Sequence, residues 1–256
     1  MKKIFLLTIV ALLTFALLTG CRPSQTEQPP VTDPTAAPTA EPTAAPTAEN
    51  VESETDAITY YTEKVYAQQI ERYYIAVAQQ WDAIAYMDNS MCSLAAAYNE
   101  GTSLENVGFA FTDLDNDGVC ELVIGGITNS ALDPLVFEIW TVQDGAPVMV
   151  AQSGSHNRYY LQHSEDGLWT VAHEAENGAA SRAVYYLQLV AGEFQLVKGI
   201  VCDFTANENE PWFATTDLDW DVSNDTHITT AAADAIMAEG RAAYVAAEYT
   251  PYSLYQ

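Results

Sequence analysis

Residues 111–125, FTDLDNDGVCELVIG, carry the strongest structural signal in the chain. Aspartates stand at every second position, as Asp113, Asp115 and Asp117, and Gly118 follows them directly. The apolar run that ends the stretch is typical of a buried strand and shows no helical spacing. The stretch therefore predicts a sharply curled acidic loop between strands, in which Gly118 supplies the positive φ that the curl requires.

Oxygen donors at this spacing are the ligands that Ca²⁺ prefers in proteins. Side-chain donors occupy the first, third, fifth and ninth loop positions, and the seventh position is the customary main-chain ligand. The predicted ligands of a structural calcium ion are Asp113, Asp115, Asp117, the Val119 carbonyl and Glu121. The bidentate glutamate that closes an EF-hand at the twelfth position is replaced by Ile124. An acidic turn without metal is the alternative.

The motif D-x-D-x-D-G-x-x-E followed by V-I-G resembles the calcium loop of FG-GAP repeats, which occur in integrin α-subunit propellers. That resemblance implies that the same five residues bind calcium. It does not imply a propeller, because a propeller needs several blades and the chain holds one full copy of the motif. With its N-terminal anchor, initial helical stretch and later hairpins, the chain also resembles uncharacterised lipoproteins of clostridial bacteria, a group that implies no activity.

Residues 1–20 have the layout of a signal peptide, with Lys2 and Lys3 ahead of an apolar run. The sequence Leu-Thr-Gly-Cys at 18–21 is similar to the lipobox of bacterial lipoproteins. This resemblance implies cleavage before Cys21 and a diacylglyceryl group on its sulfur, and two lipid chains are enough for stable anchoring. The prediction is a protein anchored at the extracytoplasmic face of the bacterial cell membrane.

Residues 21–50 form a segment rich in proline, threonine and alanine, with seven of the eleven prolines of the chain. This composition cannot bury a core, so the segment is predicted to be a disordered linker. In an extended polyproline conformation it would reach about 90 Å from the bilayer. Residues 51–256 are then left to form one globular α+β domain.

The charge of the chain limits its partners. It holds 35 acidic against 9 basic residues, a formal charge of −26. Such a charge repels nucleic acid, so DNA and RNA are excluded. The predicted partners are the membrane, through the lipid anchor, and an unknown extracellular protein or glycan.

Three cysteines follow the lipidated one, namely Cys92, Cys120 and Cys202. They allow at most one intrachain disulfide. Burial of Cys120 as a small apolar residue is one interpretation, and a pair with Cys202 is the other.

Periodicity predicts α+β architecture, with N-terminal helices, an antiparallel β-meander of about eight strands and a C-terminal helix packed on the sheet. The first helix is capped by the pair Ser53 and Asp56, and a second, short helix ends at Gly101. The buried face of the first helix is predicted to hold Ile70, Tyr73, Tyr74, Val77, Trp81 and Ile84.

The predicted strands are 107–112, 121–126, 135–143, 147–152, 158–163, 168–173, 182–190 and 194–202. Hairpin turns are predicted at Asp144-Gly145, Asp166-Gly167 and Gly192. The last helix should start at Thr229 or Thr230 and run to about Tyr249.

A second acidic stretch repeats the donor spacing of the first, and its candidate ligands are Asp217, Asp219, Asp221 and Asp225. It lacks the glycine. Val222, at the sixth position, would need a left-handed conformation that a β-branched residue resists. A solvated acidic loop is the alternative to a second metal site.

No motif assigns a catalytic residue, since the chain lacks a nucleophile elbow, HExxH, a P-loop and a dinucleotide fingerprint. The function predicted is a calcium-binding surface module that engages a protein or a cell-wall glycan. Aromatic residues that could stack on sugars are Trp140, Trp169, Trp212, Trp220, Tyr159 and Tyr160. The alternative is an extracytoplasmic carboxylate-dependent hydrolase that acts on cell-wall or dietary polysaccharide.

Overall fold

The computed structural model describes residues 57, 59–99, 103–127, 134–163 and 168–255. The predicted signal peptide, Cys21 and the linker lie outside these residues. So do the predicted cap at Ser53 and Asp56, the helix end at Gly101 and the turn at 166–167. Those features stay predictions. Within the described residues, every helix is too short or too polar to cross a bilayer.

The first part of the described chain is helical. Its elements are a π-helical turn, Tyr61–Val65, the helices α1, Ala67–Ala78, and α2, Ala83–Asp88, a 3₁₀-helix, Ser93–Tyr98, and the helix α3, Ser103–Asn106. Helix α1 buries Ile70, Tyr73 and Val77, as their three- and four-residue spacing predicts.

The predicted buried stripe is wrong at Ile84, although Trp81 still packs partly buried against the main core. Gln80 has a φ of +52°, which breaks the helix. Asp82 then caps α2, because its carboxylate accepts a hydrogen bond from the Ala85 amide at 2.8 Å. The break turns the second segment, and Ile84 is 63 % exposed instead of buried.

The sheet has twelve strands, which corrects the predicted eight. They are β1, Val107–Thr112, β2, Glu121–Gly126, β3, Leu135–Gln143, β4, Ala146–Gln152, β5, Asn157–His163, β6, Trp169–Asn177, β7, Ser181–Val190, β8, Glu193–Asp203, β9, Trp212–Thr215, β10, Thr226–Ile228, β11, Tyr244–Val245, and β12, Thr250–Pro251. The first eight match the predicted strands to within one residue at each end, except that β6 continues to Asn177. The four that were missed are short.

Strands β5 to β10 are antiparallel neighbours in chain order, which is the predicted meander. Strands β1, β2 and β3 form a second such run. Strand β3 pairs with β5 through Leu135 and Val136 and with β4 along the rest of its length. Near the C-terminus, β12 pairs with β1.

The last helix, α4, spans Thr230–Ala242. Its predicted start is confirmed, because the Thr229 side chain accepts from the Ala232 amide at 3.2 Å. Its predicted end near Tyr249 is wrong, since β11 leaves the helix axis and pairs with β5. There the Tyr244 ring stacks on Tyr160 with centroids 4.3 Å apart.

The sheet is buried on both faces. One face packs against the N-terminal helices and α4, with Phe137 and Trp212 in its core. The other face buries mostly strand residues, including Val123 and Leu161, because the sheet curls onto itself. The curl brings the β7–β8 turn beside the end of β3, where Gln143 Nε2 donates to the Gly192 carbonyl at 3.0 Å.

The three described cysteines, Cys92, Cys120 and Cys202, are free thiols. The alternative of a Cys120–Cys202 disulfide is therefore wrong. Cys92 and Cys202 are buried, and Cys120 is partly buried beside the main core.

Candidate functional site

The acidic loop connects β1 to β2 as a wide hairpin that begins after the pair Thr112 and Glu121. The prediction of a loop flanked by strands is confirmed. Two of its residues have left-handed backbone, Asn116 with φ +57° and Gly118 with φ +87°. Asparagine tolerates this conformation better than most residues and glycine adopts it freely, so the sequence fits the curl.

The curl brings three carboxylates together. Asp113, Asp115 and Asp117 each place one oxygen within 4.8 Å of the others, and no other such trio occurs among the described residues. Backbone amides hold these groups in place, since Asp113 accepts from the amides of Asp117 at 3.1 Å and Gly118 at 3.0 Å. Asp117 accepts from the Val119 amide at 2.7 Å.

The arrangement of the loop disfavours the negative charge of Asp115. Partial burial raises the pKa of Asp115, and the charges of Asp117 and Asp113 raise it further. A raised pKa means that the environment disfavours the charged carboxylate. A divalent cation would reverse this balance.

Glu121 lies beside the trio but outside it. Its carboxyl is 1 % exposed and accepts from the Leu114 amide at 2.8 Å and from Thr141 Oγ1 at 2.9 Å. Burial raises the pKa of Glu121 to about 8, and the charges of Asp115 and Asp117 act in the same direction. Each carboxylate oxygen keeps a second lone pair, so ligation by Glu121 stays a prediction, as does ligation by the Val119 carbonyl.

The loop is fixed to the domain by contacts that sequence patterns do not reveal. Tyr66 donates to the Cys120 carbonyl at 3.0 Å, and Tyr61 accepts from the Cys120 amide at 3.0 Å. Leu114 is buried in the second core, and the Ala191 amide in the β7–β8 turn hydrogen-bonds to Asp115. The loop is therefore held from three sides, which limits the reorganisation needed to bind an ion.

The second acidic stretch adopts a different arrangement. Val222 starts a 3₁₀-helix, Val222–Asn224, instead of the left-handed turn that a calcium loop needs. Successive carboxylates cap the backbone two residues ahead, as when Asp219 accepts from the Asp221 amide at 2.8 Å. Metal binding by Asp217, Asp219, Asp221 and Asp225 stays a prediction, and the three-carboxylate convergence of the first loop does not recur there.

An aromatic cleft of about 250 Å³ lies beside this second loop. Tyr159, His173 and Tyr185 stand directly opposite one another on β5, β6 and β7, and Trp220 closes the row. The Tyr159 and His173 rings stack with centroids 4.3 Å apart. Asn157 is the polar side chain at its rim, and the charges of Asp217, Asp219 and Asp225 act on Tyr185 from the second loop.

The aromatic cleft is uncharged at neutral pH. Burial lowers the pKa of His173 to about 4, so its imidazole is neutral. Its Nε2 lies 3.1 Å from Asn157 Oδ1. Tyr185 donates to the Asp219 carbonyl at 3.2 Å, which fixes the second loop against the row of rings.

Two of the six aromatic residues named from sequence line the aromatic cleft, and Trp169 packs partly buried against the second core instead. Trp220 and Tyr159 line the aromatic cleft, whereas Trp212 and Tyr160 are buried. Trp140 packs against the main core and donates through Nε1 to Glu138 at 2.8 Å.

No protein-family model, curated protein or solved structure matches this chain. Its function is therefore inferred from its own geometry.

Proposed function

We propose that the protein is a lipid-anchored surface module of the extracytoplasmic face, which binds Ca²⁺ at the β1–β2 loop and a glycan at the aromatic cleft. The metal part rests on one observation, the convergence of the oxygens of Asp113, Asp115 and Asp117. The ion would be structural, because it would hold together the loop that connects β1 to β2. The anchor rests on the sequence of residues 1–21.

Isothermal titration of the ectodomain, residues 22–256, with CaCl₂ tests the metal part. We expect one site with a Kd on the order of 10⁻⁴–10⁻³ M, as in extracellular modules. MgCl₂ should bind more weakly, because Mg²⁺ demands near-ideal octahedral geometry and gives up its waters reluctantly. Absence of heat, together with a native mass spectrum free of calcium adducts at millimolar calcium, would refute the site.

A glycan suits the aromatic cleft better than a protein does. The cleft is small, and aromatic side chains line it beside the polar Asn157, the combination that orients polar ligands with apolar faces. Sugars have this character because their axial C–H groups form apolar patches between hydroxyl groups.

Replacement of Trp220 by alanine should therefore weaken glycan binding. A glycan array identifies the polysaccharide, and affinity electrophoresis on it compares variants. We expect Trp220→Ala to lose at least about tenfold in affinity, since an aromatic anchor contributes about 2 kcal/mol or more. Phe204→Ala is the matched control, because Phe204 is an aromatic side chain 45 % exposed outside the aromatic cleft. An empty array, or equal losses in both variants, would contradict the proposal.

A further inference from the structure

Positive charge is concentrated at one place in this acidic protein. The structure describes four arginines, and Arg158, Arg182 and Arg241 line one cleft of about 150 Å³. We call it the arginine cleft. They come from three elements, β5, β7 and the last turn of α4. In a chain with a formal charge of −26, three arginines that line one cleft contrast with the acidic character of the rest of the chain.

The carboxylates of the arginine cleft do not pair with Arg158 or Arg182. Glu174 is engaged by Arg241 through Nε at 2.8 Å and Nη2 at 3.2 Å, and it also accepts from Tyr244 at 3.0 Å. Glu176 lies 3.1 Å from His156. Within the described ranges, Arg158 and Arg182 have no carboxylate within 4.0 Å.

Arg158 and Arg182 are both positioned by the sheet, and Arg182 also hydrogen-bonds to the side chain of Cys202, its neighbour on β8. Arg158 stands opposite Glu174, and Arg182 stands opposite Glu176, so the two arginines lie on the same face of the sheet. The Arg182 guanidinium lies over the Trp212 ring, 5.0 Å from its centroid, and the Arg182 residue is exposed. Arg158 Nε is shielded from solvent and has no hydrogen-bond partner in the protein.

We propose that the arginine cleft binds an oxyanion, a phosphate, sulfate or carboxylate group, at the guanidinium groups of Arg158 and Arg182, which flank Glu174 and Glu176 of β6. Guanidinium groups donate pairs of hydrogen bonds that match such anions, and an orphaned Nε is stabilised when it gains an acceptor. The volume equals that of about five waters, which admits one such group with part of its carrier. The side chains of Arg158 and Glu174 alternate along β5 and β6 with Tyr159 and His173 of the aromatic cleft, so the two clefts lie on opposite faces of the sheet.

Nuclear magnetic resonance of the ¹⁵N-labelled ectodomain tests the arginine cleft directly. Sodium phosphate, sodium sulfate and sodium acetate are titrated at constant ionic strength, and the Arg Nε–H signals are followed. We expect saturable shifts of Arg158 and Arg182 with at least one of these anions. Glycerol 3-phosphate and glucuronate then show whether a carried group binds more tightly than the free anion.

Variants separate a built site from general charge attraction. Arg158→Gln and Arg182→Gln should each weaken binding about tenfold or more, because each removes charge-assisted hydrogen bonds. Lys198→Gln is the matched control, since it removes one exposed positive charge from β8, in register with Tyr186 and four residues along β7 from Arg182. Should Arg158→Gln fail to fold, Arg158→Lys, which keeps the charge, replaces it and should lose at least threefold.

The outcomes are unambiguous. Loss in the arginine variants with Lys198→Gln within twofold of the wild type supports the site. The proposal is overturned if none of the anions gives a saturable shift up to 20 mM, which is about the weakest affinity that a physiological site could have. Equal weakening in Lys198→Gln would also overturn it, because the attraction would then come from overall charge.

Discussion

Calcium at 10 mM is expected to raise the melting temperature of the ectodomain by about 3–10 °C. A ligand at roughly 10–100 times its Kd stabilises the folded state by about 1.4–2.7 kcal/mol. For a domain of this size each kcal/mol corresponds to about 2–4 °C. The measurement is differential scanning calorimetry in calcium and in chelator, at constant ionic strength.

Asp115→Ala should lower the melting temperature relative to the wild type in calcium, but not in chelator. In calcium it removes a ligand, so most of the gain in melting temperature is lost. In chelator it removes a carboxylate whose pKa is raised by partial burial and by the charges of Asp117 and Asp113, so the melting temperature should stay level or rise. This crossover distinguishes a metal site from a loop in which Asp115 only makes hydrogen bonds.

Asp234→Ala is the matched control for the calcium experiment. Asp234 is exposed on α4 and belongs to neither acidic loop. Its replacement should leave the calcium-dependent rise unchanged. If the wild type melts at the same temperature in both conditions, or if Asp115→Ala keeps the full rise, calcium does not bind at this loop.

The strands that were predicted well share a local cause. For β1 to β8, the apolar runs that form the strands and most of the turn residues that end them are neighbours in the sequence, so a local pattern reveals both. The hairpin turns predicted at Asp144-Gly145 and at Gly192 are both present, with left-handed backbone at Asp144, Gly145, Ala191 and Gly192. Strands β11 and β12 have two residues each, and their pairing depends on edges of β5 and β1 that are distant in sequence. A two-residue strand is too short to show an alternating pattern, so the sequence around it does not predict it.

The acidic loop was predictable for the same reason, because its donors and its glycine lie within nine residues. Its supports were not, since Tyr61 and Tyr66 lie more than fifty positions before Cys120. The arginine cleft is the extreme case. Arg158, Arg182 and Arg241 are scattered along the chain, and only the register of β5, β6 and β7 brings the first two to one face.

The largest loss of stability is expected from Glu138→Ala. Glu138 is 1 % exposed in the core between the N-terminal helices and the sheet. Its Oε1 accepts from Tyr73 at 2.8 Å and from Gln152 Nε2 at 3.0 Å, and its Oε2 accepts from Trp140 Nε1 at 2.8 Å. One carboxylate thereby joins α1, β3 and β4.

Removal of that acceptor leaves the donors of Tyr73, Trp140 and Gln152 without their partner. An unsatisfied buried donor costs about 1–3 kcal/mol. With the donors of Tyr73 and Trp140 unsatisfied and a cavity left by the side chain, the free energy of unfolding should fall by about 3–5 kcal/mol. Urea denaturation should show a lower midpoint with an unchanged slope, because the same surface is exposed on unfolding. Glu138→Gln keeps one acceptor oxygen and should lose less.

Glu105→Ala is the control for this second experiment, since Glu105 is exposed on α3 and its replacement should change the free energy of unfolding by less than about 0.5 kcal/mol. The calcium-dependent rise should persist in Glu138→Ala, because none of the three clustered aspartates contacts Glu138. A loss below 1 kcal/mol would mean that water satisfies the three donors and that the carboxylate does not hold the helices to the sheet. Disappearance of the calcium rise as well would mean that Tyr66, which donates to both the Trp140 and Cys120 carbonyls, transmits the damage from β3 to the loop.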